Sequence, residues 1–313
     1  MKGFHMFAVF VVVSVLLVTI VLHELGHLLS ARYLGISVSK FAVGLGPKLF
    51  GFRIRRGGRL GEIEWSVHAL PVGGFVRIHG MFDGMRAQER AFLISEGRTE
   101  EECVALLASD RLYCHRTGWQ QALVISAGVI INLVVSVSTL IVTFWLVGAP
   151  SPPQEDHVAK VGGDSTSSVE LRVVQEDAQA GKPLSLWGAT VQACSMVKDA
   201  SADMLVALRE PVANVTSPIQ VVQDTSKRVA ENTMHPGFLW VMTFASINFA
   251  LAFCNILPVP GLDGGHLMYA IFKGVIGVPV PVLIQTVSTA VCILLLSGLM
   301  VFALVRDAIA LFR

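Results

Sequence analysis

The sequence predicts a polytopic α-helical membrane protein with four transmembrane helices and a small cytosolic, membrane-associated β-hairpin or sheet. Three observations carry that class. Of 313 residues, 53% are hydrophobic and 15% charged, where ordinary soluble chains carry about a quarter charged residues. The mean hydropathy is +0.63. The apolar residues are also gathered into runs long enough to cross a bilayer, which takes roughly 20 residues in a helix.

Four runs meet that length: approximately Met6 to Leu29, Trp119 to Val147, Phe238 to Leu257 and Pro281 to Val305. The first follows Lys2 and resembles a signal peptide in outline. However, no small-x-small cleavage site follows it, and the charged stretch His23-Glu24-Leu25-Gly26-His27 does, so it is read as a span. The chain then divides into a first transmembrane helix (1–30), a polar region (31–118), a second transmembrane helix (119–148), a second polar region (149–237) and a closing pair of helices (238–313). Region 31–118 holds 13 Lys and Arg against 9 Asp and Glu, whereas 148–237 holds 7 against 11. The basic cluster Arg53, Arg55, Arg56 and Arg59 lies close behind the first span. Basic residues accumulate on the cytoplasmic side, so the first polar region is expected in the cytoplasm and the second, with both termini, across the membrane.

Within the first polar region, a Gly-rich stretch (Val43-Gly44-Leu45-Gly46-Pro47) precedes two strand-like runs, Ile63 to Leu70 and Phe75 to Ile78. Partial alternation around Pro71-Val72-Gly73-Gly74 predicts a hairpin or small sheet turning there. From Met85 to Arg116 the composition becomes charged and helical, a solvated face. In the second polar region the start is loop-like, and Leu184 to Leu208 has amphipathic helical spacing, as of a helix lying along a membrane surface. No internal repeat is evident.

Composition also narrows the function. A formal charge of +1 offers no field for a polyanion, which argues against nucleic acid as a partner. Five cysteines without a Cys-x-x-Cys pair make neither a disulfide framework nor a zinc finger.

The chemistry concentrates in two places. In His23-Glu24-Leu25-Gly26-His27, helical spacing puts both imidazoles on one face, where they can share a metal ion. Glu24 projects beside them, placed to take a proton from a metal-bound water. Ionisable groups inside a membrane helix are costly unless they are partnered or functional, and snorkelling would suit Lys or Arg better than paired His. A catalytic site needs a third ligand, and Asp263 is the candidate. It is the only acidic residue between Glu231 and Asp307, and it follows a span that Pro258 and Pro260 must end or break. Its plain alternative is an Asx turn before Gly264-Gly265. Two amides complete the candidates. Asn132, behind Ala127-Gly128, either bonds a neighbouring helix or orients a substrate carbonyl. Asn255 has the same two readings and tilts toward substrate because it lies eight residues before Asp263. His266 is read as structural.

This ordered set resembles the site-2 protease family of intramembrane zinc metalloproteases, near its regulator-of-sigma-E branch. The His-Glu-x-x-His motif matches His23 to His27, and Asn-x-x-Pro-x-Pro-x-Leu-Asp-Gly-Gly is matched in full from Asn255 to Gly265. Ala-Gly-Pro-x-x-Asn is matched at Ala127, Gly128 and Asn132, with Val129 in place of proline. Ala69 to Val76 resembles the family's cytosolic β-hairpin beside the active site. The resemblance implies zinc (Zn2+) on His23, His27 and Asp263, and Glu24 as general base. It also implies membrane-anchored protein substrates, the lipid bilayer as surroundings and residence in a bacterial inner membrane with the site toward the cytoplasm. Relatives in this branch carry one or two PDZ domains in the outer segment. Residues 149–183 leave no room for two, and one is expected to be truncated or absent. The rival functions are a metal transporter, which predicts inverted repeats and several ligand sites along a path, and a non-catalytic membrane-protein binder.

Overall fold

Chain that enters hydrocarbon must satisfy its backbone polar groups internally, and a helix does so within one segment. The computed structural model describes residues 2–55, 62–81, 86–95, 99–148, 183–207 and 236–311. In chain order these form α1 (Lys2–Tyr33), β1 (Val38–Arg55), β2 (Glu62–Ile78), α2 (Arg86–Ser95), α3 (Glu100–Ala108), a 3-10 turn (Tyr113–His115), α4 (Gly118–Leu146), α5 (Leu186–Ala207), α6 (Pro236–Ile256), α7 (Asp263–Ile276) and α8 (Val282–Leu311).

Among the described residues, three helices are long and apolar enough to span a membrane: Phe10–Tyr33 of α1, Gly118–Leu146 of α4 and Val282–Leu299 of α8. The expected span at Phe238 to Leu257 does form a helix, α6, but its apolar stretch, Trp240–Ile256, is shorter. At 1.5 Å per residue that stretch reaches only about 26 Å, against a hydrocarbon core of about 30 Å. Four spans therefore become three by this measure, with α6 as a shorter apolar helix.

The sheet differs from its expected form. The reversal expected at Pro71-Val72-Gly73-Gly74 occurs, but β2 stays one continuous strand through it, and its arms pair with β1, which carries the preceding Gly-rich segment, not with each other. Val38–Val43 of β1 pairs with Gly74–Ile78, while Lys48–Arg55 pairs antiparallel with Glu62–His68. Val43 and its neighbours also lie alongside Glu64–Val67, where the partner numbers rise together and the contact is parallel in sense. Two long strands thus bend and pair twice. The bend falls where glycines take positive φ, at Gly44 (84°), Gly46 (85°) and Gly73 (82°), a region closed to most side chains. A Cβ on Gly44 would stand 2.6 Å from the Leu70 carbonyl oxygen. Because Glu64–Val67 runs parallel and Gly74–Ile78 antiparallel to the same stretch ending at Val43, β2 reverses its direction between them.

The charged stretch is helical as expected. Thr99 and Glu102 form a capping box on α3, and Thr117 and Gln120 form another on α4, each satisfying backbone amides that a helix start leaves open. Leu28, Ala31, Ile36, Val38, Phe41 and Ile125 pack the core between α1, the sheet and α4. Helix α4 is the hub, in contact with α1, α5, α6 and α7. The amphipathic stretch at Leu184 to Leu208 becomes α5, whose Ala189 and Ala193 are buried against Leu140 and Phe144 of α4 and Ala245 of α6. The loop-like start of the outer segment, with any PDZ remnant, and Arg56 and Arg59 of the basic cluster lie outside the described residues.

Candidate metal centre

One helical turn separates His23 from His27 on α1, and both side chains are buried. Asp263 comes from the other end of the sequence. Pro258 and Pro260 bring α6 to an end at Ile256, and a tight loop follows, held by Val259 N–H to Leu257 O (2.7 Å) and Leu262 N–H to Val259 O (3.1 Å). Asp263 then opens α7. Gly264 and Gly265 permit this reversal, since a Cβ on either would come within 2.0 Å of Leu257 O or 2.5 Å of Val259 O.

The three side chains converge. His23 Nε2 lies 2.8 Å from Asp263 Oδ2, His27 Nε2 lies 3.2 Å from the same oxygen, and the two Nε2 atoms are 3.2 Å apart. Among the described residues this is the only group of three or more His, Cys, Asp or Glu placed to hold one ion. Ligands about 2.0 Å from a tetrahedral zinc stand roughly 3.3 Å from one another, and these separations fit that figure closely. The donor set fits as well. His27 Nδ1 is 2.9 Å from the Val124 carbonyl oxygen. A carbonyl can only accept, so the proton is on Nδ1 and the lone pair on Nε2 faces the other two ligands.

Helix α4 closes the site from the second side. It runs antiparallel to α1, with Val124 at His27 and Asn132 at His23. Between them the backbones nearly touch: a Cβ on Gly26 would stand 2.5 Å from Ala127 O, and one on Gly128 would stand 2.5 Å from His27 Nε2 and 2.8 Å from His23 Cε1. Gly128 therefore leaves the space into which the imidazoles fit. Asn132 is fully buried, with its amide nitrogen placed 3.3 Å from His23 Nδ1.

Glu24 sits on the side of the sheet. A Cβ on Gly74 would lie 3.3 Å from its Cγ, and the Val76 backbone is a hydrogen-bond partner of its carboxylate. Asn255 is half-buried near the end of α6, and its side chain forms no hydrogen bond among the described residues. His266 makes an edge-on contact with Tyr269 along a cleft that Gln121 and Lys273 also line. The sequence presents Gly128 only as one of the small residues before Asn132, gives Gly26 no role of its own within His23 to His27, and carries no signal for the Val124 carbonyl or for Gly74 beside Glu24.

Two imidazoles and a carboxylate around one point, with a glutamate beside them and apolar helices as the frame, define a metallopeptidase built into membrane helices. The chain belongs to peptidase family M50, whose family model matches residues 11–299. It is similar to three relatives named as zinc metalloproteases. One, from Brucella suis, is 23% identical over 95% of this chain and 93% of its own. A second, from Clostridium perfringens, is 27% identical over 93% and 95%, and a third, from a Nostoc species, is 26% identical over 96% and 95%. The protein is accordingly a membrane zinc metalloprotease of the site-2 protease type. The Brucella alignment extends over 372 positions, more than the 313 residues present here, so that relative carries segments this chain lacks.

Proposed function

We propose that the protein hydrolyses peptide bonds within or near the transmembrane segments of membrane-anchored proteins, in regulated intramembrane proteolysis. The observation that carries this reading is the convergence of buried His23 and His27 with partly buried Asp263 among apolar helices, with Glu24 at the junction between α1 and the sheet.

His23, His27 and Asp263 would hold the ion, and the Val124 carbonyl fixes the tautomer of His27. Zinc, when bound, lowers the pKa of water and polarises the scissile carbonyl. Glu24 accepts the proton of the attacking water on its carboxylate and returns it to the leaving amine nitrogen. A helical substrate hides its peptide bonds and must be drawn out first. Gly74–Ile78 pairs with β1 along one edge; its other edge, beside Glu24, suits an extended segment added by β-augmentation. Asn255, with its amide uncommitted, orients the substrate carbonyl, whereas the buried Asn132 serves the ligands, as argued below. Helix α6 crosses as a fourth, short span in a locally thinned bilayer. The charge distribution supports a site facing the cytoplasm of a bacterial inner membrane, and the short 149–237 segment supports a truncated or missing PDZ filter.

The test is cleavage of a tagged transmembrane substrate by purified wild type and Glu24→Gln, with zinc measured in both. Cleavage lost and zinc retained is the expected result. Equal processing by the two proteins contradicts the assignment of Glu24.

A further inference from the structure

Asn132 is fully buried, and its side chain meets one group among the described residues, the Nδ1 of His23. As placed, its Nδ2 faces that nitrogen at 3.3 Å, and its Oδ1 is buried without a partner. Both features are unfavourable for an ion site. A donating amide makes Nδ1 the acceptor and leaves the imidazole proton on Nε2, aimed at His27 and Asp263, where no metal could then be ligated. The orphaned oxygen separately carries the desolvation penalty of an unmade hydrogen bond. Rotating the amide by 180° removes the first and gives the oxygen its partner, with the amide nitrogen then standing where the oxygen was, and the two amide atoms are assigned from the hydrogen-bond network alone. Oδ1 then accepts from Nδ1–H, and the Nε2 lone pair turns toward the ion.

We propose that Asn132 is a positioning residue of the metal centre, its side-chain oxygen fixing His23 in the tautomer that ligates through Nε2. The neighbouring ligand supplies the precedent within the same site, since His27 is held in that way by the Val124 carbonyl. Both imidazoles are thus oriented from α4, one by a main-chain oxygen and one by a side-chain oxygen. A simple helix clasp differs in what its nitrogen meets, as Asn248 shows, although its Oδ1 too is buried without a partner. Its Nδ2 donates to Thr19 Oγ1 (3.0 Å) and to Phe244 O (2.8 Å), tying α6 to α1 without touching a ligand.

The inference rests on the zinc assignment of His23, His27 and Asp263, and the experiment separates the two. Zinc affinity is measured by chelator competition on the full chain in detergent for wild type, Asn132→Leu, Asn132→Asp and Asn248→Leu. Stoichiometric, tight zinc in wild type upholds the assignment; its absence overturns that assignment first. Loss of an outer hydrogen-bond partner typically weakens metal binding about 10–100-fold. That loss is expected for Asn132→Leu, with Asn132→Asp, which keeps the acceptor, within a few-fold of wild type and Asn248→Leu unchanged. Wild-type affinity in Asn132→Leu, or equal losses in the Leu and Asp variants, overturns the proposal. Nitrogen-15 NMR of labelled histidines in zinc-loaded wild type gives a reading that needs no variant. A protonated Nδ1 on both ligand imidazoles is expected, and ligation of His23 through Nδ1 contradicts the inference.

Discussion

Between Gly118 and Asn132, α4 approaches the ligand-bearing helices closest at glycines, with Val124 and Ile125 packed in the core beside them; between Ser136 and Phe144 it meets its neighbours through side-chain volume. In the first half, a Cβ on Gly118 would stand 2.3 Å from the Gly274 backbone nitrogen of α7, and one on Gly128 would collide with the imidazoles of α1. Both ligand-bearing helices are therefore drawn close by the absence of side chains. In the second half, Leu140 and Phe144 fill the space against α5 and α6, and Ser136 Oγ donates to Ala245 O at 2.8 Å. One helix thus positions ligands over one stretch and supplies packing over the other. Small residues that let membrane helices approach closely here also set the depth of a metal site.

The sharpest way to break this comparison is Gly128→Ala. The added methyl would occupy the space of His27 Nε2, so bound zinc should fall to background while helical content, followed by circular dichroism, is retained. A zinc-replete variant would mean that α4 can withdraw and that the close approach is incidental. Next in size is Phe144→Ala in the packing half. Phe144 is fully buried, and emptying such a site costs about 3–5 kcal/mol, measurable as lower stability in detergent unfolding, with zinc affinity at the wild-type level. Equal zinc losses in the two variants would dissolve the distinction between the halves.

The distal end of the sheet, away from α4, offers the smallest effect. The Lys48 ammonium pairs with Glu64 and holds its carboxyl below the usual carboxylate range. A depressed folded-state pKa adds stability above the unfolded value of 4.5 and loses it as the pH falls through the lower folded one. Acidification below about pH 4.5 should therefore loosen Lys48–Arg55 and Glu62–His68, read by amide exchange, by no more than an exposed ion pair's ~1 kcal/mol. Lys48→Met should flatten that dependence.

Much of the site was legible because its chemistry is local. His23 to His27 lie within one turn, and the prolines and glycines around Asp263 announce a helix end followed by a tight reversal. What the sequence hid depends on residues far apart in the chain. The Val124 carbonyl is a backbone group with no side-chain signal. Gly26 and Gly128 look like ordinary small residues until the two helices are seen to touch through them. In the sheet, the turn composition of Pro71 to Gly74 marks a reversal that the strand does make, with a positive φ at Gly73; what it did not show is that both arms pair with Val38 to Val43 instead of with each other. Span counting stopped short at α6 because apolar length, unlike helix formation, is marginal there.

The most direct test of the account is zinc K-edge X-ray absorption on the purified, metal-loaded chain. Two imidazole nitrogens with the remaining ligand atoms oxygen, and loss of this set in Gly128→Ala, is the predicted result. A sulfur-containing shell, or a single imidazole, would place the metal somewhere other than between α1, α4 and α7.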